Sequence, residues 1–179
     1  MPDRYIICVG TIEKRKNQEA IIAAMHQLPE DLHLVLVGGC HGNYRSKLFS
    51  SLKSKGLQKR VHLIDDAEFE DFPALYANSL AAVYVSKFEG FGIPILEAMC
   101  CGVPVLTSNC SSMPEVGGDA VLYADPNNID EIASQINRII SDETLREELL
   151  QKAEIQKQKF DPQITTQALY DLYKELLQE

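Results

Sequence analysis

The chain predicts an α/β fold: a single Rossmann-like, doubly wound parallel sheet followed by a helical C-terminal tail. Three observations carry that prediction. The short apolar runs are continuous rather than alternating, which suits strands covered on both faces. They alternate with longer segments of helical pattern, as parallel strands joined by right-handed crossovers require. Three of the loops that follow the runs contain glycine, where an open α/β sheet presents its ligand-binding edge.

Taken in order, "YIICVG" at 5–10 is the first strand, and a helix follows over about Asn17–Leu28. "LHLVLVGG" at 32–39 is the second strand, leading to a helix over about Tyr44–Lys55. "VHLI" at 61–64 is the third, with a helix over about Phe69–Ala77. "AAVYVS" at 81–86 is the fourth; the helix after it, about Pro94–Cys101, has proline in its first turn, where a missing N–H costs nothing. "PVLTS" and "AVLYA" complete the sheet. The tail reads as three helices, about Ile129–Ser141, Glu143–Phe160 and Pro162–Leu177. The apolar spacing of Leu169, Leu172, Tyr173, Leu176 and Leu177 suits packing on the domain's own sheet, with docking onto another domain as the alternative. Residues 1–179 form one domain, with a sheet region of about 5–125 and a helical tail of about 129–177; "DPNN", Asp125–Asn128, marks the change of layer.

Composition narrows the function classes. A length of 179 residues, 45% hydrophobic and 24% charged, can bury a core without disulfides or metals. No run of about 18 apolar residues is present, so no membrane span is expected. The N-terminus enters a strand pattern at once, without the charged leader and apolar core of a signal peptide, and a cytoplasmic location is expected. A net charge of −9 argues against a nucleic acid partner, which requires a basic surface, but not against a small anionic ligand. The five cysteines show no C-x-x-C spacing and read as reduced packing residues. None of the four histidines pairs with another at metal-ligand spacing, and no metal site is expected.

In "FEGFGIPILEAM", Gly90 and Gly92 permit close approach of a ligand to the backbone. The helix beginning near Pro94 aims unpaired N–H groups and a partial positive charge at that loop, a ready anion site. Glu89 stands at its rim and Glu97 one turn in. Carboxylates repel phosphate but accept hydrogen bonds from sugar hydroxyls, so a ligand carrying both groups, a nucleotide sugar, suits the pattern. The plain alternative is a glycine turn with an exposed helix glutamate. In "VGTIEKRKN", Gly10 ends the first strand and Arg15–Lys16 precede the first helix; alone they read as a solvated charge run. Further glycines are lacking, so this is no dinucleotide fingerprint, and cationic side chains would hold a phosphate here. Gly38, Gly39 and Gly42 follow the second strand and alone indicate only a tight turn. "SSMPEVGGDA" holds Ser111, Ser112, Glu115, Gly117 and Gly118 in a turn to which chemistry alone assigns no function.

Together "GT-x-E-x-R-K-N", "LVLVGG", "EGFGIPILEAM-x-x-G-x-PV" and "PEVGGDA-x-L-x-x-P" resemble the C-terminal, donor-binding domain of retaining GT-B glycosyltransferases of family 4, the glycosyl transferases group 1. The resemblance spans about residues 5–160. It implies that Glu89 contacts hydroxyls of the donor sugar and Glu97 the ribose hydroxyls, and that Lys16, with Arg15 beside it, neutralises the diphosphate. It further implies that backbone amides of Gly90, Phe91, Gly92, Ile93 and Ile95 line sugar and phosphate, that Gly10, Thr11 and Gly38 border the site, and that the base lies against the loop holding Asp66 and Ala67. Many members carry arginine where this chain has Thr11; Arg15 is the charge available to substitute. The activity implied is a hexosyltransferase type, moving sugar from a UDP- or GDP-linked donor to an acceptor hydroxyl in glycan or polysaccharide biosynthesis, with no cofactor and no divalent metal. Such enzymes have a second, acceptor-binding N-terminal domain that these residues do not contain, so the chain is expected to be an incomplete enzyme. An epimerase of the same architecture and a non-catalytic nucleotide-sugar-binding module are the alternatives.

Overall fold

The computed structural model describes residues 1–40 and 43–177; His41 and Gly42, in the second glycine loop, and the last two residues lie outside it. Among the described residues are six strands and eight α-helices. The strands are β1 (Tyr5–Val9), β2 (His33–Val37), β3 (Val61–Ile64), β4 (Ala81–Tyr84), β5 (Val105–Ser108) and β6 (Leu122–Ala124). Between them run α1 (Gln18–Ala24), α2 (Asn43–Ser54), α3 (Phe72–Ala77), α4 (Ile93–Cys100) and α5 (Met113–Gly117); α6 (Ile129–Ser141), α7 (Glu143–Gln156) and α8 (Pro162–Leu176) follow. The strands form one sheet in the order β3-β2-β1-β4-β5-β6, every pair parallel. Strand order reverses at β1, so the crevice at the carboxyl ends of β1 and β4 is the switch point where ligands of such sheets bind.

Every residue of β1, β4 and β5 is buried, as their continuous apolar sequences require. Two cores result. Ile21, Ile22, Leu48, Leu52, Ile132 and Ile136 of α1, α2 and α6 cover one face. Tyr76, Ile95, Met99, Met113, Val116 and Ala153 of α3, α4, α5 and α7 cover the other.

The loops after β1 and β2 are bound together. Gly10 N–H donates to Val37 O at 2.8 Å and Ile12 N–H to Gly39 O at 2.9 Å. Gly38 has φ +137, and a Cβ built there would stand 2.5 Å from the Gly10 carbonyl oxygen. Its glycine is therefore a packing requirement of the β1–β2 edge.

The tail departs from expectation at α8. Every residue of α8 is exposed, including Ile164, Leu169, Tyr170, Leu172, Tyr173 and Leu176, so the helix does not pack on the sheet. The reason is occupancy: α1, α2 and α6 fill one face, α3, α4, α5 and α7 the other. Asp161, extended at φ −60 and ψ 125, directs the chain away from both.

Sequence spacing gives no hint that His33 and His62 meet. Register does: His62 pairs with Val35, two residues beyond His33 on the same face of the sheet. The ring nitrogens His33 Nδ1 and His62 Nε2 lie 2.9 Å apart. Burial, and after it the neighbouring His33, pull the His62 pKa below the usual histidine value. The unfolded chain then takes up the proton first as pH falls. Stability is full above about pH 6.5 and drops as pH falls from there towards the folded value. Urea unfolding at pH 7.5 and 5.5 checks this: His62→Phe should flatten the difference, and an equal difference in the variant would refute the assignment.

Candidate active site at the β1–β4 switch point

The site is built from two loops that meet above β1 and β4. Lys14–Lys16 form a single 3-10 turn after β1. Asn17 then takes a left-handed conformation, φ +61, before α1 begins. Its buried side-chain amide donates to Val85 O at 3.0 Å and Pro126 O at 2.7 Å, tying the turn to the ends of β4 and β6. Lys87 N–H donates to Arg15 O at 2.9 Å, which stitches the two loops directly.

Across that seam the charges pair. Arg15 Nη1 lies 2.7 Å from Glu89 Oε2, and Lys16 Nζ 2.8 Å from Glu89 Oε1. The Lys16 contact is an ion pair without hydrogen-bond alignment, since Oε1 accepts no aligned donor. Arg15 also reaches Glu13 at 2.6 Å and donates to Phe88 O at 2.8 Å. Glu89 is only 8% exposed, and a carboxylate so buried is costly unless paired. Burial by itself raises its pKa; contacts with Lys16, Tyr84 and Arg15 outweigh that and hold it below the ordinary glutamate value. Tyr84, the last residue of β4, accepts a hydrogen bond from Lys16 Nζ, which also stands 4.9 Å from the ring centre. An ammonium carries three donors; besides the one given to Tyr84, the remainder can turn to an anionic ligand.

Next to this cluster is the glycine loop. Gly92, at φ +111, caps α4, and Pro94 lies in its first turn. Among the described residues the amides of Gly90, Phe91, Gly92 and Ile93 have no hydrogen-bond partner. That of Ile95 donates to Gly92 O at 3.0 Å, and its side chain is wholly in the core, so Ile95 anchors the helix. Phe91 is exposed and edge-on to Phe160 at 5.6 Å.

Of the residues singled out from sequence, Gly10, Arg15, Lys16, Glu89 and the loop 90–93 converge at the switch point; Gly38 underpins it. Thr11 is exposed at its edge, its carbonyl accepting from Gln18 at 3.1 Å. Glu97 faces elsewhere: it accepts a hydrogen bond from Tyr76 of α3 at 3.0 Å. Beside it is a small apolar cavity of about 170 Å³ lined by Phe69, Phe72, Tyr76 and Glu97. Asp66 and Ala67 border a larger groove of about 740 Å³ between the N-terminal residues and α3. No cluster of three or more metal-ligating side chains occurs among the described residues. Sequence alone missed Asn17, Tyr76 and Tyr84, and named Ser111 and Ser112 without a function. A tyrosine ending the aliphatic run "AAVY" was the available signal for Tyr84; Asn17 and Tyr76 depend on contacts between segments distant in sequence.

Fold and site together define an α/β domain with basic side chains and free amides gathered at the sheet's switch point. Residues 1–156 match the model of the family described as Glycosyl transferases group 1. The chain belongs to that family. Among curated relatives, the O-antigen chain mannosyltransferase B of Escherichia coli is 36% identical over 173 residues, covering 95% of this chain and 45% of that protein. A serotype-specific mannosyltransferase, WbdA, of the same organism is 34% identical, covering 99% of this chain and 22% of its own length. The chain thus spans less than half the length of these relatives. Among solved structures, HepE of Anabaena in complex with UDP and glucose superposes with a TM-score of 0.89 at 25% identity, covering 97% of this chain and 49% of that one. The C-terminal domain of a glycosyl transferase group 1 protein, LpcC of Francisella tularensis, superposes at 0.77 and 26% identity, covering 89% of this chain and 87% of that one. The fold is that of the C-terminal half of a GT-B glycosyltransferase.

Proposed function

We propose that this chain is the donor-binding half of a retaining, family 4 glycosyltransferase that moves a sugar from a UDP- or GDP-linked donor to an acceptor hydroxyl in glycan biosynthesis. One observation carries it: Arg15 and Lys16 are brought to Glu89 at the switch point, beside the unpartnered amides that precede α4. A diphosphate seated there would take over the two cations, which Glu89 now neutralises, and free that carboxylate for sugar hydroxyls. As the bond from the anomeric carbon to the phosphate oxygen breaks, the electron pair stays on the diphosphate, where Lys16, Arg15 and the α4 N-terminus stabilise it. In this reading Glu97, which accepts a hydrogen bond from Tyr76, would accept from the ribose, and the base would lie towards the Asp66–Ala67 loop. No divalent metal or cofactor enters this scheme. The acceptor site belongs to the remaining half of a two-domain enzyme, and the apolar face of α8 is a surface for that half to cover.

Thermal unfolding with UDP, GDP and their sugar conjugates tests the proposal. A ligand at roughly ten times its Kd adds about 1.4 kcal/mol, a rise of roughly 3–6 °C for a domain of this size. We expect that rise with one base and its loss in Lys16→Ala. The absence of any shift at millimolar ligand, with the protein folded, would overturn donor binding by this half.

A further inference from the structure

We propose that Ser111 and Ser112, in the loop between β5 and α5, are positioning residues for the donor site, holding the backbone of Glu89–Phe91 in its binding geometry. This rests on the donor-site reading above and names residues that it does not include. Ser111 has φ +57, a left-handed conformation unfavourable for any residue with a Cβ. Such outliers persist where the surroundings over-determine them, and they gather at functional sites. What this one secures is definite. The Ser111 hydroxyl accepts from Glu89 N–H at 3.2 Å and donates to Glu89 O at 2.6 Å, satisfying both backbone groups of one residue. Ser112 lies next to it, with Oγ 3.0 Å from Glu89 O and 2.7 Å from Phe91 O, and its single proton serves either carbonyl. The carbonyls of Glu89 and Phe91 are therefore engaged by the β5 loop, while the amides of Gly90 to Ile93 are left without partners. A loop fixed through its acceptors and open through its donors is prepared for an anion. The same bonds hold the backbone from which Glu89 reaches Arg15 and Lys16.

A hydroxyl that merely closed a loop would change stability and ligand affinity together. Four variants separate the two roles. Ser111→Ala loses the hydroxyl and keeps the strain; Ser111→Gly loses the hydroxyl and relieves it. Ser112→Ala and Ser112→Thr remove and retain the second hydroxyl. The melting temperature of each is measured, together with its calorimetric affinity for UDP and GDP. We expect the nucleotide that the unaltered chain prefers to bind about tenfold more weakly to both Ser111 variants, the worth of one hydrogen bond near the upper end of its usual range. That loss should be equal although Ser111→Gly melts above Ser111→Ala. Ser112→Ala should weaken binding similarly, and Ser112→Thr should restore it. Affinity that follows melting temperature across the set, or that is unchanged in all four, overturns the positioning role. An unaltered chain that binds neither nucleotide removes the donor site itself, and the clamp's role with it.

Discussion

Lys16→Ala is expected to destabilise the folded chain by about 3 kcal/mol, the low end of the range for removing one partner of a buried ion pair. It should also abolish binding of nucleoside diphosphates. Glu89 is 8% exposed, and without Lys16 the one cation left beside its carboxylate is Arg15, which is 42% exposed and shared with Glu13. At roughly 2–4 °C per kcal/mol, the melting temperature should fall by roughly 6–12 °C. Most of that loss reflects a stranded charge. The double variant Lys16→Met with Glu89→Gln should therefore regain stability while still failing to bind. The difference between Lys16→Ala and the unaltered chain should also narrow in acid. Glu89 is held below its ordinary value of 4.5, so its share of stability is present above that pH and lost as pH falls through the folded value. A Lys16→Ala chain unfolding within about 0.5 kcal/mol of the original, the range for indifferent surface changes, would show that the pair contributes nothing.

Gly38→Ala is expected to be comparably damaging and to leave the ionic cluster's residues untouched. Two costs add. A residue with a Cβ at φ +137 is strained by about 1–3 kcal/mol. The new methyl would lie 2.5 Å from Gly10 O and 2.7 Å from Gly10 C, backbone atoms that cannot rotate away, and such overpacking costs about 1–3 kcal/mol more. A total near 4 kcal/mol follows by taking the middle of both ranges. Gly56→Ala is the matched control: it too has positive φ, at +69, but nothing lies within 4 Å of its Cβ. It should cost only the strain. Equal unfolding midpoints for the two variants would remove the close approach of the loops as the cause.

The sheet was legible because its central strands are buried on both faces, which leaves continuous apolar runs that no surface helix would carry. All six were visible, as were Glu89 with its glycine loop and Lys16. Their meeting was not, since it depends on strand order: Lys16 and Tyr84 are 68 residues apart and touch only because β4 lies beside β1. The same limit hid the His33–His62 pair and the serine contacts of the β5 loop. For α8 the apolar spacing was real, but a stripe does not say what covers it, and both faces of the sheet were already taken. Gly38 was noticed for its residue type and given a ligand-facing role, because no sequence signal separates a glycine needed for a ligand from one needed for a neighbouring loop.

The β1–β4 pairing also fixes when the site comes into being as the chain folds. Strands β1, β2 and β3 can associate through successive crossovers, each closing a short stretch of chain. The cations and the carboxylate, however, belong to opposite wings of the sheet, and closing the 73-residue interval from Lys16 to Glu89 costs on the order of 4 kcal/mol of chain entropy before any contact repays it. A nascent chain ending before β4 carries Arg15 and Lys16 as ordinary exposed charges, and Glu89 acquires its cationic partners only once the two wings have joined.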